Sequence, residues 1–66
     1  MTDKEFVLAI YPEACVCPDR YNWKTYYYVF NLGFMDSRTI LHNTEEEAWC
    51  GARKITNGRI LDKLAS

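Results

Sequence analysis

The chain has little of what would mark a catalyst or a nucleic-acid binder. It holds one histidine, His42, and three isolated glycines, Gly33, Gly51 and Gly58, so a glycine loop that cradles phosphate is excluded. Cationic residues number 8 against 9 acidic ones, a net charge of -1 with a pI near 5.7. That balance removes the general electrostatic drive toward nucleic acid. Apolar runs are short. Phe6–Ile10 carries no basic lead and is too brief for a signal sequence, and nothing approaches a membrane span. Three cysteines without a secretory feature are expected as free thiols in a reducing cytoplasm.

What is present is a small aromatic core. Of 66 residues, 48% are hydrophobic and 15% aromatic, too many for a disordered chain. A single domain over residues 1–66 is expected, near the lower limit for folding without staples. Its best-specified stretch runs from Asn43 to Thr56. Thr44 and Glu47 form a capping box, and Glu45, Glu46 and Glu47 put negative charge at the positive end of the helix dipole. At roughly 100° per residue, Ala48, Trp49, Ala52, Ile55 and Thr56 fall within an arc of about 120°. This is a helix with one dry face anchored by Trp49.

Thr2 and Glu5 repeat the capping pattern, and Pro12 ends a short helix read over 3–11. Ala14–Cys17, closed by Pro18-Asp19, is a brief β-prone run, and 19–22 is turn chemistry. Trp23–Leu32 is the most β-prone segment. Alternation sets Tyr26, Tyr28, Phe30 and Leu32 on one face; Trp23, Thr25, Tyr27, Val29 and Asn31 fall on the other. The first set, being more apolar, is expected to face the helices. Residues 33–37 form a loop with Asp36-Ser37 as its turn, and Arg38–His42 returns as a third strand. Beyond Thr56 the apolar stripe drifts, which would put Arg59 and Lys63 on the buried side. Asn57-Gly58 is a good C-cap pair, so a kink there and a second helical piece over 59–65 are expected. The fold class is thus α+β in the order α-β-β-β-α: a short helix, a three-stranded antiparallel sheet and a long helix kinked at Asn57-Gly58. Its expected core is Phe6, Ile10, Tyr26, Tyr28, Phe30, Ile40 or Leu41, Ala48, Trp49, Ala52 and Ile55.

This order resembles the double-stranded-RNA-binding domain. That family, however, meets phosphates with lysines at the start of its last helix, where this chain has Glu45, Glu46 and Glu47, which would repel them. Cys15, Cys17, His42 and Cys50 add up to four zinc ligands, yet zinc knuckles are spaced C-x₂₋₄-C, and C-x-C in a strand spreads both thiols along one face. Structural thiols are the expectation, with no metal and no cofactor. A Cys15–Cys17 disulfide is sterically poor. No catalytic residue can be named: Cys–His catalysis would need a third, orienting group. Gly51 inside a helix costs about 1 kcal/mol against alanine, which points to a close approach there.

With helices on one side only, Trp23, Thr25, Tyr27 and Val29 are expected to face water as an aromatic-rich interface. Glu45 and Glu46 would form an acidic rim for a basic partner. A second copy of the chain could cover the same face as a homodimer, or single-stranded bases could stack on it. Thr2-Asp3-Lys4-Glu5 with Tyr11-Pro12-Glu13-Ala14, and Thr44-Glu45-Glu46-Glu47-Ala48-Trp49, resemble small accessory proteins of tailed bacteriophages and prophages. The resemblance spans about half the chain and transfers no site residue; Cys15-x-Cys17 and Tyr26-Tyr27-Tyr28 depart from it. It implies an intracellular, non-enzymatic module in the host cytoplasm that binds a host or phage protein, for instance as an inhibitor of a defence system. A nucleic-acid-binding regulator is the alternative.

Overall fold

In the computed structural model, residues 1–33 and 37–65 are described. The order is α1 (Asp3–Ile10), β1 (Cys15–Tyr21), β2 (Lys24–Phe30) and α2 (Glu45–Ala65), an α+β fold. The threonine half of each expected capping box forms. The Glu5 N–H donates to Thr2 Oγ1, and the Glu47 N–H to Thr44 Oγ1, each at 3.1 Å. Among the described residues, no helix is long and apolar enough to cross a membrane.

β1 and β2 form an antiparallel hairpin in the register Tyr21↔Lys24 through Cys15↔Phe30. The expected turn at 19–22 therefore moves to Asn22-Trp23, and β1 runs through Pro18. Pro18 is tolerated because it opposes Tyr27 at a position whose backbone groups point away from the partner strand. Tyr27 indeed spends its N–H and C=O on the opposite side, on His42, at 2.8 Å each.

Among the described residues no third strand is formed. Residues 37–42 run beside β2, bridged only at Tyr27↔His42 and Phe30↔Arg38. Between those bridges three residues, 39–41, oppose two, 28 and 29. The extra residue breaks the ladder as a bulge does. Buried Thr39 repairs it: its N–H donates to the Val29 carbonyl and its Oγ1 accepts from the Val29 N–H, both at 2.8 Å. Ile40 and Leu41 are left exposed, so neither is the core residue expected. Asp36, read as a turn residue, lies outside the described residues.

The sheet's phase is the reverse of the expected one. Val29 is fully buried, and Tyr27 and Val16 pack on the same core. Tyr26, Tyr28 and Phe30 lie on the other face and are only half-buried. A one-residue change of phase moves every side chain to the opposite face. The misleading residue is Leu32, which is itself fully buried. Asn31 has a φ of 68°, ending the alternation, so Leu32 turns back toward the helices rather than continuing the Tyr26–Phe30 face. The core is Val7, Ala14, Val29, Leu32, Ala48, Trp49 and Ala52, with Phe6, Leu8, Tyr11, Val16, Tyr27 and Ile55 packed around it. Its helix side combines Ala48 and Ala52 with Trp49 and Val7; compact Val29 is buried completely against that side, while Tyr27, on the same face, packs at the edge. Ile10, expected inside, is 38% exposed and lies outside the core.

α2 does not break at Asn57-Gly58; it is continuous over 21 residues. The drift of its apolar stripe is real, since Leu61 and Leu64 are exposed. Arg59 resolves the conflict another way. Its guanidinium donates to the Leu32 carbonyl and to Ser37 Oγ (3.2 Å), and lies over the Tyr11 ring. A charge on the inward side is tolerable when its donors are used. α1 is held to α2 by Asp3–Arg53 at 2.8 Å and by Arg53 stacked on Phe6.

Candidate functional site

The residues expected to form the interface do not share one surface. Val29 belongs to the core and Tyr27 is half-buried against it, which removes both from an open sheet face. Trp23, Thr25, Glu45 and Glu46 are exposed. The chain path brings these four to one end of the molecule. Residues 37–42 return along β2 toward the hairpin turn, so α2 begins at that end, and Arg59 reaches Leu32 and Ser37 at the other.

The hairpin tip is the most unusual local structure. Asn22 has φ 50° and Trp23 φ 66°, the pair of positive values required by a two-residue primed turn. Asparagine tolerates the first position. The second is normally glycine, and a bulky residue there is a conformational outlier that costs roughly 1–2 kcal/mol. Trp23 nevertheless stands 97% exposed; its indole gains no packing to offset the strain. Exposed Tyr21 precedes the turn. The sequence had marked Trp23 by residue type, but the strain at the turn was legible only once the strand register was known.

The sheet face turned from the helices carries Tyr26, Tyr28 and Phe30, together with Cys15 and Cys17, which pair with Phe30 and Tyr28. Lys24 Nζ lies 5.3 Å from the Tyr26 ring centroid and the Arg38 guanidinium 5.7 Å from that of Tyr28. The two sulfurs are 3.8 Å apart. Desolvation holds the Cys15 thiol above its ordinary value, and the hydrogen bond to Cys17 and the like charge of a second thiolate act in the same direction. Cys15 is exposed, so the two contributions from Cys17 are the ones its geometry supports most directly.

His42 lies on the helix side. The sheet separates it from the thiol pair, and among the described residues no three His, Cys, Asp or Glu side chains are placed to hold a metal ion. Its Nε2 is buried without a hydrogen-bond partner and abuts Gly51, where an added Cβ would come within 2.7 Å. That is the close approach the glycine signalled. A cleft of about 540 Å³ opens between the starts of the two helices and is lined by Asp3, Lys4, Glu45, Glu46 and Trp49, among others. Lys4 already lies 5.8 Å from the Trp49 ring centroid. Compared with protein-family models, curated proteins and solved structures, the chain matches none.

Proposed function

We propose that this chain is a non-enzymatic protein-binding module whose anchor is Trp23. The observation that carries the reading is an indole 97% exposed at a backbone φ of 66°. Strain that packing does not offset is a cost to the fold, and such outliers cluster where a ligand or partner uses them. Tryptophan and tyrosine are the residues that fill a partner's pocket with most area and least entropy loss. Glu45 and Glu46, at the same end, supply an acidic rim that favours a partner with basic residues around an apolar pocket. The likeness to small accessory proteins of tailed phages makes a host-cell protein, bound so as to inhibit or modulate it, the partner class we put forward, with the host cytoplasm as the site of action.

The test compares the wild-type chain with Trp23→Gly as bait in a bacterial lysate at low and high salt. A partner held by the wild type in both salts and lost by the variant supports the reading. A partner held equally by both baits, or none held by either, refutes it. Binding of single-stranded nucleic acid is a second reading, supported by Lys24 and Arg38 over the alternating Tyr26 and Tyr28 rings. It requires an affinity that falls steeply with salt.

A further inference from the structure

The thiol pair lies outside that anchor and bears on the sheet face it leaves unused. We propose that Cys15 and Cys17 are half of a four-thiolate zinc site completed by the same two residues of a second copy of this chain. Two thiolates bound to tetrahedral zinc at about 2.3 Å stand about 3.8 Å apart. Cys15 and Cys17 are already at 3.8 Å, set by their place two residues apart on one face of β1.

Closing a disulfide would instead require the sulfurs to approach to about 2.05 Å, with α-carbons about 6–7 Å apart along an extended strand, at or beyond the usual range. Metal chelation asks for no such movement. One chain cannot finish the site, because no third His, Cys, Asp or Glu among the described residues is placed to join a metal-binding group. A structural zinc takes four ligands, so the two open positions require another donor pair. A twofold axis through the metal supplies an identical one.

The surroundings fit that occupant. Packed sheets lie about 10 Å apart, which puts each β1 backbone about 5 Å from a metal on the axis, within reach of a cysteine side chain. The second copy would cover half-buried Tyr26, Tyr28 and Phe30. Four thiolates on one zinc carry a net charge of two minus; Arg38, held on that face over Tyr28, the register partner of Cys17, offsets part of it in each copy, while Asp19 shares the face two residues beyond Cys17. Binding displaces one proton from each thiol to solvent; no electron is transferred.

The experiment uses the full chain, reduced with a phosphine and stripped of metal, then titrated with cobalt(II) or zinc under light scattering. Expected are one metal per two chains, ligand-field bands of tetrahedral cobalt with thiolate ligands, and a dimerisation midpoint lowered on the order of tenfold or more, reversed by chelator. Cys15→Ser and Cys17→Ser should each abolish all three while keeping the far-ultraviolet dichroism of the wild type. One metal per chain without dimerisation, no metal uptake, or a zinc-dependent dimer that survives either serine substitution would overturn the proposal.

Discussion

The imidazole edge of His42 occupies the place where a side chain at position 51 would begin: a Cβ on Gly51 would lie 2.7 Å from Nε2 and 3.1 Å from Cε1. This contact sets the segment after β2 against the middle of α2. At Gly58, on the same helix, a Cβ would meet nothing within 4 Å. Two glycines in one helix therefore have opposite meanings.

Gly51→Ala should destabilise the domain and Gly58→Ala should stabilise it, the latter by up to about 1 kcal/mol from helix propensity alone. In a His42→Ala background the obstruction at 51 is gone, and Gly51→Ala should then become stabilising. Urea unfolding of the four Gly51/His42 combinations measures the coupling. An additive cycle would mean that the ring moves aside freely.

Val29→Ala should cost about 2 kcal/mol, because a fully buried side chain leaves a cavity against alanines that cannot close it. Thr25→Ala, at an exposed position of the same face, should cost little. Equal midpoints for the two in chemical denaturation would restore the sheet phase that residue composition suggests.

Trp23→Gly should raise stability by about 1 kcal/mol, since glycine adopts a positive φ at no steric cost, while partner binding is lost. Gain in one measurement and loss in the other is what separates a functional anchor from a structural residue. A variant that loses stability would show that the indole is packed.

Arg59→Ala removes the donor to the Leu32 carbonyl and to Ser37. Stability should fall by about 1.5–3 kcal/mol, the usual scale for a hydrogen bond to a charged group. Amide exchange should accelerate most over residues 57–65. Unchanged exchange there would mean that the last turns of α2 hold without Arg59.

Cys15, its thiol held above the ordinary value by desolvation and by Cys17, has less thiolate at any given pH. Alkylation of Cys15 near neutral pH should be slower than that of an unperturbed thiol and should reach its midpoint at higher pH. Because the folded value is raised, the contribution to stability is present below the ordinary thiol value and lost as pH climbs through the folded one. Cys17→Ser removes two of the three causes and should move the midpoint back down. A midpoint at the ordinary value in the wild type would contradict the geometry of the pair.

Local chemistry made both helix starts legible. A threonine three residues before a glutamate can accept from that glutamate's N–H and start a helix, and Thr2 and Thr44 do so in the fold. The dry face of α2 was legible for the same reason: Ala48, Trp49, Ala52 and Thr56 are buried as their spacing requires. The close approach at Gly51 could be foreseen too, though not that a histidine makes it. Trp23 stood out by type, but its strain depends on a register that only the paired strands establish.

Period and capping are properties of neighbours in the chain, so the sequence by itself determined where the helices begin, which face of α2 is dry, and that a β-prone middle separates them. Which face of β2 turns inward is settled by what waits on the other side. Val29 is buried completely in the core that holds Ala48 and Ala52, and Tyr27 packs at its edge on the same face. Asn31, by turning to a positive φ, sends Leu32 inward against the alternation. Arg59 keeps α2 whole because a carbonyl 27 residues away is there to receive it. The thiols of Cys15 and Cys17 share a face by local rule, but that the face lies away from the helices, open to a second chain, is decided by the packing of Val16 and Val29 on the other side.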